Sequence, residues 1–64
     1  MNLDIKPIDD YTIEVYSANT DKLVGKILHQ EFDNLWYFLY SDCGCVWSSD
    51  VLYELAEILD NLNK

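Results

Sequence analysis

Arginine is missing from this 64-residue chain, and its only basic residues are four lysines, set against twelve aspartates and glutamates. A net charge of −8 repels phosphate backbones and anionic membrane surfaces. Without arginine there is no bidentate reader of phosphate or guanine. Direct nucleic-acid binding and membrane association are therefore not expected. Two glycines and one proline leave little material for long loops. Long apolar runs are absent as well; nothing approaches the ~18 residues that cross a bilayer. Met1 to Lys6 lacks the basic start and apolar stretch of a secretion signal, so a cytoplasmic location is expected. The two cysteines are expected to stay mostly reduced there.

Half of the residues are apolar and 14% are aromatic, too rich a mixture for a disordered chain. Residues 1–64 form one domain, close to the smallest size that folds without staples. Six consecutive large side chains, Leu35-Trp36-Tyr37-Phe38-Leu39-Tyr40, dominate its middle. A strand sends alternate side chains to opposite faces, so this segment asks for an apolar neighbour on both sides. One small domain builds one core. The second face therefore predicts a partner.

Tyr11 to Ser17 alternates β-branched or aromatic with polar residues and reads as a strand. Asn19-Thr20-Asp21 turns the chain into a second strand, Leu23 to Gln30, and Asp33-Asn34 turns it into a third, Leu35 to Tyr40. Leu3 and Ile5 allow a fourth strand at the start, ended by a turn at Pro7-Ile8-Asp9-Asp10. Folding about Thr20 sets Glu14 opposite Lys26 and Ile13 opposite Ile27. Folding about Asp33-Asn34 sets Ile27 opposite Tyr40, His29 opposite Phe38 and Glu31 opposite Trp36.

One face then carries Tyr11, Ile13, Val15, Leu23, Ile27, His29, Trp36, Phe38 and Tyr40, the better core. The other carries Tyr16, Val24, Leu28, Leu35, Tyr37 and Leu39, with Thr12, Glu14, Lys26 and Gln30 around them. An apolar, tyrosine-bearing patch with a polar rim has the make-up of an interface, and those six residues are the expected partner-binding set. The third strand is also a candidate edge, able to pair with another chain.

The C-terminal segment reads as a helix capped by Ser48, with Asp50 in its first turn and Trp47 placed to pack on Leu52. Val51, Leu52, Leu55, Ala56, Ile58, Leu59 and Leu62 fall on one side. Asp50, Glu54, Glu57 and Asp60 line the other, an acidic face that either keeps the protein in solution or imitates a phosphate backbone. The fold class is thus α+β: an antiparallel meander of three strands, or four, with one C-terminal helix packed on one face.

Cys43-Gly44-Cys45 suggests soft-metal or disulfide chemistry, with Asp42 or His29 as helpers, but structural zinc wants four ligands and longer spacers. The ordinary reading is a loop with two small apolar residues, and neither metal nor cofactor is expected. His29 has no neighbouring nucleophile and carboxylate in a recognisable arrangement, so no catalytic residue is assigned.

Gly25-Lys26-Ile27, Trp36-Tyr37-Phe38, Trp47-Ser48-Ser49 and the run Leu52, Leu55, Ala56, Leu59, Leu62, Asn63 together resemble small orphan proteins encoded by bacteriophages. The resemblance covers about the last two-thirds of the chain. It implies a protein that binds and redirects or inhibits a host protein in the host cytoplasm, with no catalytic residues to carry over. The expectation is a non-catalytic acidic binding module acting on a partner with a basic or apolar groove, and forming a homodimer. Mimicry of nucleic acid by the helix is the alternative, and a metal or redox role for the cysteine loop comes third.

Overall fold

A computed structural model describes residues 2–41 and 47–64. Four strands, β1 (Leu3–Asp9), β2 (Thr12–Ser17), β3 (Leu23–Gln30) and β4 (Leu35–Tyr40), precede one helix, α1 (Ser49–Leu62). The strands pair antiparallel in the order β1-β2-β3-β4, which makes an α+β meander with β1 and β4 at its edges. Local contacts dictate that order, because each hairpin closes within a few residues of the last strand.

Proline does not end the first strand. Pro7 lies inside β1 opposite Ile13, and the turn comes later, at Asp10-Tyr11, where the Asp9 carboxylate accepts the Tyr11 N–H at 2.8 Å. Ala18 N–H donates to Asn2 C=O at 3.0 Å, so alternation along the ladder points the backbones of Leu3, Ile5 and Pro7 away from β2. Proline's missing donor falls on the side that no strand needs.

The β2–β3 register places Glu14 opposite Lys26 and Ile13 opposite Ile27, as the sequence predicts, with Asp21 turning the hairpin at a left-handed φ of 61°. A bulge then intervenes between the pairs Val15–Gly25 and Tyr16–Leu23. Val24 is the extra residue, and a single insertion cancels the alternation of faces. The expectation that Val24 joins the partner-binding set is corrected here: it is only 3% exposed and belongs to the core. Leu23, expected in the core, pairs instead with Tyr16 on the opposite face.

The β3–β4 register differs from expectation by two residues. Ile27 faces Phe38, His29 faces Trp36, and Gly25 faces Tyr40. The connection is a four-residue turn, Glu31 to Asn34, rather than two residues, with Asn34 at φ 60° and Asp33 accepting the Leu35 N–H at 3.1 Å. A shift of two leaves every side chain on its predicted face, so the patterning argument survives the error.

The core is Leu3, Ile13, Val15, Val24, Ile27 and Leu55, with Trp36, Phe38, Trp47, Val51, Ile58, Leu59 and Leu62 packed around it. Gly25 completes the sheet side. A Cβ there would stand 2.4 Å from the Leu39 carbonyl oxygen and 2.6 Å from the Phe38 ring, so the absent side chain is the space Phe38 occupies. Tyr11 and Tyr40, expected in the core, are exposed: Tyr11 lies in the turn before β2, and Tyr40 is the last residue of β4.

Ser48 caps α1, its hydroxyl accepting the Val51 N–H at 3.4 Å. Leu55 is buried beneath the helix, but Leu52 and Ala56, predicted on its packed side, are exposed. The apolar stripe that the sheet covers is therefore narrower than the one in the sequence. Trp47 meets Phe38 edge-on, with ring centroids 5.9 Å apart, and together with Leu52, Tyr40 and Leu55 it lines an apolar cleft of about 230 Å³.

One side chain of α1 and that of its C-cap, Asn63, fasten the sheet's edges. Glu54 accepts the N–H groups of Asn2 and Leu3, both at 2.9 Å, on the β1 side. Asn63 accepts the Trp36 N–H at 2.7 Å and donates to the Trp36 carbonyl at 3.2 Å, on the β4 side. Nine residues of helix advance about 13.5 Å, close to the ~14.4 Å that three inter-strand gaps span. One helix is therefore long enough to reach both margins.

Candidate protein-binding face

The helix covers one side of the sheet, and the other side has no described segment over it. Five of the six predicted partner-binding residues share this open side: Tyr16 on β2, Leu28 on β3, and Leu35, Tyr37 and Leu39 on β4. Tyr37 is 43% exposed and Leu39 56%, large values for apolar side chains within a strand. Val24 is the exception already described.

Composition divides the open side in two. Near β1 and β2, the directly opposed pairs Asp4–Tyr16 and Lys6–Glu14 make a polar half, and Lys26 extends the second row from β3. Near β4, Leu28 lies opposite Tyr37, Gln30 opposite Leu35, and Lys26 opposite Leu39. The apolar half thus runs along β4 and ends at the turn. There Phe32, 80% exposed, stacks on Tyr37 with centroids 6.2 Å apart and planes 20° from parallel. Phe32 was not in the predicted set. Its place in the turn hid it, since alternation says nothing about loop residues.

Both tyrosines are held by carboxylates. The Tyr37 hydroxyl donates to Asp33 and the Tyr16 hydroxyl donates to Glu14 at 2.8 Å. A hydrogen bond to an acceptor that prefers the protonated phenol pushes both phenol pKa values up, with burial and the carboxylate charge acting in the same direction. The rings are consequently fixed neutral donors with apolar faces, the combination that makes tyrosine effective at interfaces.

The acidic helix face is smaller than predicted. Glu54 is half-buried and turned to the sheet edge, and its carboxyl pKa is lowered chiefly by the Asn2 backbone N–H, with the Leu3 N–H adding to the effect. Asp50, Glu57 and Asp60 remain exposed. β4 lies at the edge of the sheet, as expected, and at its start the Trp36 peptide is taken by Asn63.

His29 is packed between Tyr11 and Trp36, with centroids at 5.9 and 5.2 Å, and its Nε2 meets the Asn34 side-chain oxygen at 2.8 Å. Its Nδ1 is buried without a partner among the described residues. Among those residues no group of three or more His, Cys, Asp or Glu is placed to hold a metal, and no helix is long and apolar enough to cross a membrane. Asp42, Cys43, Gly44 and Cys45 lie outside the described residues. Comparison with family models, curated proteins and solved structures gives no match, so the site is read from its own chemistry.

Proposed function

We propose that the protein is a non-catalytic binding module that engages another protein through its open sheet side, and acts as an inhibitor or modulator of that larger protein. The observation that carries this reading is the exposed apolar run of Leu35, Tyr37 and Leu39, extended by Phe32, on a strand whose other side is core. Leaving it in water forgoes about 25 cal/mol for each Å² of apolar surface that a partner could cover. The exposed carboxylates of α1 lie on the far side and supply long-range steering toward a basic target without entering the contact. The likeness to phage proteins points to a host target in the cytoplasm.

Mimicry of nucleic acid is the second reading, favoured by the exposure of Asp50, Glu57 and Asp60. Diversion of Glu54 to the β1 edge weighs against it, because it removes one charge from the row. Affinity capture from native host extract separates the two. Leu39→Asp should lose the captured protein, whereas the double substitution Glu57→Lys and Asp60→Lys should only slow its binding. Capture that survives Leu39→Asp and vanishes with the helix variant would move the site to the helix.

A further inference from the structure

The two outer strands guard their margins in different ways. β1 carries Pro7 and the charged residues Asp4, Lys6 and Asp9, the usual sequence devices that discourage strand-to-strand association. β4 has none of these: Leu35 to Tyr40 holds no charge, proline or glycine in six large apolar or aromatic residues. Such a segment at a sheet edge is the pattern that pairs with copies of itself. The guard of β4 comes from elsewhere in the chain, and it is the Asn63 carboxamide.

Backbone directions show what that carboxamide withholds. Ser41 N–H donates to the Val24 carbonyl at 3.0 Å, so alternation aims the N–H and C=O groups of Leu35, Tyr37 and Leu39 at β3 and those of Trp36 and Phe38 outward. Both outward groups of Trp36 are taken by Asn63, at 2.7 and 3.2 Å. Those of Phe38 have no hydrogen-bond partner among the described residues. Asn63 is itself fixed in place, because its own N–H donates to the Leu59 carbonyl at 2.9 Å.

We propose that Asn63 is an autoinhibitory latch, which keeps β4 from pairing with β4 of a second copy of this chain. An antiparallel two-fold pairing centred on Tyr37 sets Trp36 of each copy opposite Phe38 of the other and offers four backbone hydrogen bonds. Every one of them has a Trp36 group at one end, so the latch blocks them all. Leu35 falls opposite Leu39 of the second copy, and no strand charges are brought together. Centring the pair on Phe38 instead keeps only two bonds while the latch is shut. The open side takes no part in this pairing, so latch and open side are tested separately.

Sedimentation under reductant and at high salt, which screens the repulsion between chains of net charge −8, tests this. Asn63→Ala should self-associate at least about tenfold more tightly than the wild type, because each released bond adds a net gain on pairing. Asn63→Asp still accepts the Trp36 N–H but cannot donate to its C=O, and should fall between the two. Glu54→Ala loosens the β1 margin and leaves the latch shut, so it should associate no more tightly than the wild type. Amide exchange locates the contact: the Trp36 and Phe38 amides of Asn63→Ala should slow as its concentration rises. An Asn63→Ala chain that associates only as the wild type does overturns the inference. Equal tightening in Glu54→Ala also overturns it, by tracing association to lost stability. Tightening without protection of the Phe38 amide would do the same, by placing the contact elsewhere.

Discussion

The carboxamide of Asn63 lies against the peptide of Trp36 as a neighbouring strand would, accepting its N–H and donating to its C=O. A side chain one residue past α1 thus closes part of the β4 margin. Replacing Asn63 with Ala hands that peptide to water. The expected cost is about 0.5–1.5 kcal/mol, the usual net worth of a hydrogen bond, or a fall in Tm of several degrees in a domain this small. Amide exchange at Trp36 should quicken at the same time, and an unchanged rate there would contradict the pairing.

Gly25 gives a sharper steric test. Its Cβ position is filled by the Phe38 ring and the Leu39 carbonyl. Gly25→Ala should destabilise by about 1–3 kcal/mol through overpacking, despite the better strand propensity of alanine over glycine. Urea unfolding measures this directly. Combining it with Phe38→Leu, which shortens the obstructing ring, should recover part of the loss.

Acid should loosen the β1 margin. The Glu54 carboxyl is held below its ordinary value by backbone N–H donors, so the folded state binds its proton less readily than the unfolded chain does. Its contribution is present in full above the unfolded value of about 4.3 and fades as pH drops through the lower folded value. Glu54→Gln should flatten that part of the stability–pH curve. Denaturation midpoints gathered from neutral pH downward would show it; a variant curve parallel to the wild type would sink the assignment.

Tyr37 offers a test of the open side in the alkaline direction. Its phenol pKa is raised by the bond to Asp33. Asp33→Asn removes the carboxylate, so the phenol should ionise earlier, nearer the ordinary value of about 10. Ultraviolet titration of the variant against wild type reads the difference.

Val24 and Leu39 form a matched pair of probes. Strict alternation puts both on the open side, whereas the bulge buries Val24 and leaves Leu39 in water. Val24→Asp should abolish folding, since an unpaired charge would enter the core. Leu39→Asp should leave the circular dichroism spectrum native.

Strand and helix positions were readable because alternation and helical spacing are local signals. Tyr11 to Ser17 and Leu35 to Tyr40 announce themselves by composition, and Ser48 marks the helix start by its capping chemistry. Five of the six predicted surface residues followed from the same patterning. What escaped depends on long-range geometry or on single insertions. The bulge at Val24 has no marker except the adjacent Gly25, whose role appears only once Phe38 lies across it. Pro7 read as a turn because nothing local reveals that its strand is an edge. Glu54 reads as part of the acidic helix face, and nothing marks Asn63, because their partners lie dozens of residues away in the chain.

The grip of α1 on both borders has a consequence for how this small protein opens. Neither outer strand can peel away without prying the helix loose, so the usual fraying of sheet margins is tied to loss of the whole structure. Hydrogen exchange should then report a single cooperative unit, and trimming Asn63 and Lys64 should split it, releasing β4 to melt before β1.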